Sequence, residues 1–492
     1  MRRWRGTELM TRATTWALRA LVLLALVLAG AACGSQEKQK IRIAIGTQDT
    51  TINCAAGGLL IRELKLLEKH LPRDGKYKDV EFEIVWKDFT SGPPLTTEMV
   101  AEKLDIGAMA DFPGVLNGVA FQKQGSRSQF IATLSGSPLG SGNGVVVPLD
   151  SPATSLKDLK GKQISVPFGS SAHGMLLRAI RDLGWDPEKD VTLVSQSPEV
   201  GGSSLKAKKI DAHADFVPFA ELFPFRGFAR KIYDGASVKV PTAHGVLVRA
   251  AYAEKHPEIV VAFLKASIEA DRLFAEEPEK YSELIEKVTG IDAEVAYMFH
   301  GPLGIQTRDF TIKPEVRRAL QVAADTLTLL KRTDTALDVG AFVEERYIRR
   351  AAEELGIDYE ARLQSYAKLP LSGGDALTGE PIDDPALAAQ LWVAGEPKVR
   401  VYRSPANALA ARRKLLAEGK EIRAAFVHDR NSGVKLLADR AWYTRRPDGS
   451  VSAFLAKEDA EAWAAAAPSD GAVVVDVESL ERDLAKVTAA AP

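Results

Sequence analysis

By residue type alone, the run best suited to holding a ligand is Gly169-Ser170-Ser171-Ala172-His173. It follows the apolar segment Ile164–Val166 and opens the helix-forming stretch Gly174–Leu183. A strand that ends in a glycine turn and starts a helix leaves backbone N–H groups free at the positive end of the helix dipole. Such a place attracts an anion, and Ser170 or Ser171 can add donors. A serine in that position also serves simply as the helix cap. Loops at the carboxyl ends of strands are where α/β sheets bind ligands, which favours a role in recognition. A second run, Asp211-x-His213-x-Asp215, puts three metal-ligating side chains on one face of a strand. One short run without a remote partner does not make a metal site, so neither metal nor cofactor is expected. Cys54 lies at a loop-to-helix junction, but a nucleophile needs a base and an orienting group in hydrogen-bond reach, and spacing supplies neither. No Gly-x-Ser-x-Gly, His-Glu-x-x-His or P-loop sequence is present, and the chain is not expected to be an enzyme.

The elements that must position these residues repeat as strand then helix. Ile41–Ile45, Val80–Trp86, Ile106–Met109 and Phe130–Leu134 read as strands, with helices over Leu59–His70, Glu98–Lys103 and Pro113–Gln122. Such alternation implies parallel strands with helices on both faces. Gly144–Pro148 is expected to cross into a second lobe, where Gln163–Val166, Val191–Val194 and Ile210–Ala214 are strands. Val246–Arg249 then returns the chain to the first lobe, and amphipathic helices fill Pro257 to Leu330. Two α/β lobes joined by crossing strands make a cleft.

The N-terminus limits where this cleft can work. Arg2, Arg3, Arg5, Arg12 and Arg19 precede an apolar run from Ala20 to Ala32 that ends in small residues before Cys33. That run is too short for a membrane span, which takes roughly 20 residues, and has the layout of a signal peptide over residues 1–32. Two readings of the junction stay open. One is ordinary cleavage after small residues; the other is acylation of Cys33, favoured because Leu28–Ser35 resembles a bacterial lipobox. Residues 33–40 are polar and read as a tether. Removing five arginines and Glu8 with the signal takes the formal charge from -1 to -5, so no surface for nucleic acid is implied. With Cys33 committed to lipid, Cys54 has no disulfide partner, and stability must come from a large core, which 492 residues at 46% hydrophobic can supply.

The run Leu156-Lys157-Asp158-Leu159-Lys160-Gly161-Lys162, followed by a strand and Gly169–His173, resembles the substrate-binding proteins of ABC importers for nitrate, sulfonates and taurine. Lys209-Ile210-Asp211-Ala212, Tyr252–Glu258 and Asp105-Ile106-Gly107 before Asp111-Phe112-Pro113 match as well, over about residues 41–331. The resemblance implies a two-lobed periplasmic binding protein of type II over residues 41–365, extracytoplasmic, with a permease as partner and no chemistry of its own. It implies a small anionic or zwitterionic ligand between the lobes. The residues it points to are Thr47, Gln48 and Asp49; Asp111 and Phe112; Ser135 and Ser137; Ser170, Ser171 and His173; and Asp215 and Phe216. Asp49 and Asp111 would repel a sulfonate or nitrate unless protonated or paired, and each can instead cap the helix beyond its loop.

The chain continues past such a body. Pro, Gly, Asp and Ala dominate around Leu369–Asp384, so residues 366–397 read as a linker. Residues 398–490 form an α+β module expected to fold alone, and Ala425–Asp429, Ala438–Tyr443 and Ala453–Ala460 are similar to the NosL-type copper accessory domain. No Cys or Met follows Met298, and a soft Cu(I) site wants sulfur, so His428 alone does not carry the copper function over. The reading is a lipid-anchored ABC-importer binding protein with a small α+β C-terminal domain. The alternative is an extracytoplasmic enzyme or a copper accessory protein on the same scaffold.

Overall fold

The computed structural model describes residues 39–489 apart from 56, 330, 332, 334, 335, 366 and 367. The signal segment, Cys33 and the tether up to residue 38 therefore lie outside the described residues. By contacts the described residues divide into a small unit, residues 39–42 with Arg73–Glu83, and a large one, Ile43–Pro72 with residues 84–489. Within the small unit, Tyr77 and Phe82 rings lie 5.9 Å apart with the Arg73 guanidinium over Phe82. The second lobe, the C-terminal module and most of the first lobe belong to the large unit.

The first lobe holds β1 (Lys40–Thr47), β2 (Glu81–Asp88), β3 (Ile106–Ala110) and β4 (Ser128–Ser137). The second holds β5 (Gly144–Pro148), β6 (Gln163–Val166), β7 (Thr192–Ser195), β8 (Ala212–Asp215) and β9 (Ala229–Asp234), before β10 (Thr242–Arg249) returns to the first. The sheets run β2-β1-β3-β10-β4 and β7-β6-β8-β5-β9. β1 pairs parallel with β3, and β6 with β7 and β8, whereas the returning strands β5 and β10 pair antiparallel with both neighbours. Buried on both faces, β3 and β4 read as apolar runs for that reason.

The chain passes between lobes twice, after β4 and after β9, and the two crossings touch. Gly235 donates its N–H to the Asn143 carbonyl at 2.8 Å. Gly140 has φ +93, and a Cβ there would lie 2.3 Å from the Val240 carbonyl oxygen. Only glycine fits a backbone held that closely in a left-handed conformation.

Three expected elements differ. The helix expected over Leu59–His70 is two, Leu59–Glu63 and Leu66–His70, broken at Lys65 with φ 53. The helix expected at Glu98–Lys103 runs Gly92–Val100, started by a proline in its first turn. β9 was not foreseen, since Ala-Arg-Lys-Ile-Tyr-Asp has no clear alternation, and it is the edge strand beside β5.

The C-terminal module has a four-stranded sheet, from β11 (Ala389–Val393), β12 (Arg400–Tyr402), β13 (Ile422–His428) and β14 (Lys435–Leu437), in the order β12-β11-β13-β14. A three-stranded sheet follows, from β15 (Trp442–Arg445), β16 (Val451–Phe454) and β17 (Val473–Val475). β11 lies inside the expected linker 366–397 and is an inner strand of that sheet, so the boundary at Lys398 is too late. Asp375 is tied in as well, accepting from Arg403 N and Asn407 Nδ2 at 2.7 and 2.8 Å. The sheet also docks on the body. Tyr297 packs 5.3 Å from Trp392 and 6.0 Å from Phe426, Gln390 Nε2 donates to its hydroxyl, and Arg423 pairs with Glu294 and Glu283. Lys435, fully buried, donates to the Pro302 carbonyl over the Tyr297 ring. A fragment Lys398–Pro492 is therefore expected to be unfolded, contrary to the sequence expectation, because it lacks an inner strand and bares an aromatic face. Dispersed amide resonances from that fragment would contradict this.

Candidate functional site

The expected residues lie at strand ends and helix starts of both lobes, and some of them touch across the lobes. On the first lobe, β1 runs into Thr47, Gln48 and Asp49. Gln48 Nε2 donates to the Ala108 carbonyl at 2.8 Å, and Thr47 Oγ1 lies 3.5 Å from the Lys87 carbonyl. Asp49 Oδ2 accepts from Arg62 at 2.8 Å, while its other oxygen is buried without a hydrogen bond. β3 ends at Asp111, whose Oδ1 accepts from Phe112 N and Oδ2 from Ala243 N at 2.6 and 3.0 Å. Asp111, the first residue of the Asp111–Lys123 helix, thus ties its start to β10. Burial pushes its carboxyl above the usual range, opposed by the Arg178 charge. At the end of β4, Ser135 Oγ is buried without a partner, whereas Ser137 Oγ accepts from Leu139, Gly140 and Ser141 N–H and belongs to the hinge turn.

On the second lobe, Ser170 caps the Ser171–Asp182 helix, its Oγ accepting from His173 N at 3.2 Å. Ser171 Oγ donates to Asn143 Oδ1 in the first crossing at 3.0 Å. His173 stacks on Phe168 at 4.7 Å and meets the Phe112 ring edge-on at 6.3 Å, joining the lobes. Phe112 also lies against Gly174, where a Cβ would stand 2.6 Å from the ring. Asp215 and Phe216 end β8. Asp215 Oδ1 accepts from Phe216 N, its Oδ2 bonds His213 Nε2 at 2.8 Å, and His213 Nδ1 bonds Ser165 Oγ at 2.6 Å. All three side chains of this Ser–His–Asp chain are fully buried. Asp211 Oδ2 instead accepts from Gln163 N, so the Asp-x-His-x-Asp run is spent on strand contacts.

Four polar residues near this cleft were not singled out from sequence. Arg178, one turn beyond Gly174 on the same helix face, is largely buried, makes no direct ion pair among the described residues, and has Asp111 as its foremost counter-charge. Burial pulls its pKa down. Asn53 Nδ2 donates to Gln306 Oε1 at 2.5 Å and lies 2.8 Å from His244 Nδ1, and Gln306 Nε2 donates to the Ser141 carbonyl. An imidazole nitrogen that accepts must be unprotonated, and burial pushes His244 down to about 3. Asn53 Oδ1 is left buried without a partner. Helical spacing from Gly174 could have flagged Arg178; Gln306, more than 250 residues after Asn53, carried no signal.

Comparison with known proteins bears on the fold. The model of the NMT1-like family matches residues 72–289. A candidate aliphatic sulfonates-binding protein of Bacillus subtilis is 27% identical over 342 residues, 68% of this chain and 96% of that protein. The taurine-binding periplasmic protein of Escherichia coli is 28% identical over 207 residues, 42% of this chain and 61% of that one. The crystal structure of the periplasmic aliphatic sulphonate binding protein of Escherichia coli, 25% identical, superposes with a TM-score of 0.50 over 62% of this chain and 97% of that one. The fold is that of a two-lobed periplasmic binding protein with an added α+β module, and the relatives are binding proteins.

Proposed function

We propose that the protein is the substrate-binding component of an ABC importer, capturing a small anionic or zwitterionic solute of the sulfonate, taurine or nitrate kind between its lobes. The observation that carries this is Arg178, a largely desolvated guanidinium that makes no direct ion pair among the described residues and whose Nε has no hydrogen-bond partner. Asp111 compensates this charge without a direct ion pair, and an anionic ligand would offset the remaining desolvation cost. The free acceptors Asn53 Oδ1 and Asp49 Oδ1 suit the amine of a zwitterion. Thr47, Gln48, Phe112, Ser135 and the 170–173 turn are the other proposed contacts, with Asp111, Ser137 and Asp215 holding the loops. Its role is read as delivery to a permease; the fully buried Ser165–His213–Asp215 chain is a packing contact of the second-lobe sheet. Arg178→Met should weaken ethanesulfonate binding by about 1.5–3 kcal/mol, roughly 10- to 150-fold, by calorimetry. Unchanged affinity would sink the assignment.

Attachment through acylated Cys33 fits an importer component, and among the described residues no helix is long and apolar enough to cross a membrane. Cys33→Ser should move the protein from the membrane to the soluble fraction; persistence in the membrane fraction would refute the anchor. For the C-terminal module, taken as NosL-like and running from about Asp375, an interaction or structural role is favoured over copper. His428 Nδ1 lies 2.7 Å from the Ala388 carbonyl, deep in the docked sheet.

A further inference from the structure

A second cavity, of about 370 Å³, lies away from the cleft, between the Pro257–Glu276 helix, the segment from Gln306 to Phe310 and residues 368–370. Its charge is unusual. The Arg308 side chain is 7% exposed; its Nε donates to Asp271 at 2.5 Å and its face lies 4.9 Å from the Phe274 ring. Both terminal nitrogens, Nη1 and Nη2, are buried without a hydrogen-bond partner. A guanidinium presents its donors as a rigid fork matched to carboxylate, sulfonate or phosphate oxygens, and here the outer half of the fork is unused. The surroundings add positive charge. Lys368 lines the same cavity, donating to the Gly433 carbonyl and pairing with no carboxylate among the described residues. Arg362 shares Asp309 with Lys313. With Arg272, which also lines the cavity and pairs with Glu276, five cations (Arg272, Arg308, Lys313, Arg362 and Lys368) meet three carboxylates, Asp271, Glu276 and Asp309, among the described residues. Burial with no counter-charge lowers Lys368 to about 8, as expected where an anion is wanting. Ile268, Phe310 and Ile357 give the wall an apolar part, beside Gln306 and His300.

We propose that this cavity is a second ligand site, taking an organic anion whose charged head meets Arg308 and Lys368 and whose apolar body lies against Phe310 and Ile357. Buried unpaired donors aimed into a half-apolar cavity are the usual layout of a small-molecule site, a few polar groups fixing a mainly apolar ligand. Gln306, which lines this cavity and also receives the Asn53 amide, stands between it and the cleft.

The test is calorimetric titration of the full chain with octanoate, with inorganic phosphate as the anion lacking an apolar body. Octanoate should bind one-to-one, at least tenfold more tightly than phosphate. Ala275→Trp, which fills the cavity from its rim and leaves the Arg308–Asp271 pair intact, should weaken it at least tenfold. The charge-neutral double variant Arg308→Met with Asp271→Asn should do the same; if it does not fold, Ala275→Trp decides. Arg178→Met should leave octanoate binding unchanged. The proposal is overturned by absent octanoate binding, by phosphate binding as tightly, by wild-type affinity in Ala275→Trp, or by loss of octanoate with Arg178→Met, which would put it in the cleft.

Discussion

Gly140→Ala should destabilise the protein by about 2–6 kcal/mol. Two costs add: roughly 1–3 kcal/mol for a side chain at φ +93, and roughly 1–3 kcal/mol for pushing apart packed backbone, because the new Cβ would stand 2.3 Å from the Val240 carbonyl oxygen. That carbonyl belongs to the second crossing and cannot rotate away like a flexible side chain. Gly161 is the control: its φ is +74, but nothing lies within 4 Å of an added Cβ, so Gly161→Ala should cost only about 1–2 kcal/mol. Denaturant unfolding of both variants measures the difference. Equal costs would mean that the crossings are not tightly packed, and would remove the reason for treating them as the joint on which the lobes turn.

Acid should weaken the fold through its buried histidines. His244 and His428 are each pushed from 6.5 down to about 3, by burial in both cases, with the Lys435 and Lys368 charges adding to the effect on His428. His300 is displaced in the same direction by burial and the nearby Arg308. With the folded pKa below the unfolded one, the unfolded chain binds more protons at any pH between them. The stability these groups contribute is therefore complete above about pH 6.5 and is lost as pH falls toward 3. From pH 7 to 5 each loses about 2 kcal/mol, so about 4 kcal/mol for His244 and His428 together. The carboxyls raised by burial, Asp111 and Asp271, act in the opposite sense as they take up protons, so a difference measurement is needed. His428→Gln should reduce the stability change between pH 7 and pH 5 by about 2 kcal/mol relative to wild type. An unaltered pH dependence would mean that His428 is protonated in the folded state.

Strands buried on both faces were legible because burial forces continuous apolar runs, as in Ile131-Ala132-Thr133-Leu134 of β4 and Val145-Val146-Val147 of β5. The return of β10 to the first lobe was legible for the same reason. β11 was not: Ala-Gln-Leu-Trp-Val sits among Pro, Gly and Asp residues that read as loop, and its apolar character belongs to an interface with Tyr297, nearly a hundred residues away. The motif at Gly169–His173 marked a strand-to-helix turn, but sequence could not settle whether its hydroxyls face a ligand or the protein itself. Ser170 proves to be a cap and Ser171 a tie to the crossing. The most exposed gap was Arg178. Its significance lies in having no direct partner, and an absence of pairing is a property of three-dimensional neighbours that no motif encodes.

The central claim, capture of a small anion between the lobes, is most directly tested by calorimetric titration of the wild-type chain with ethanesulfonate, taurine, nitrate and, as the opposite charge, ethylammonium. At least one of the three anionic or zwitterionic solutes should bind one-to-one and saturably, and ethylammonium should not bind. Failure of all three to bind, or equal binding of ethylammonium, would contradict the account.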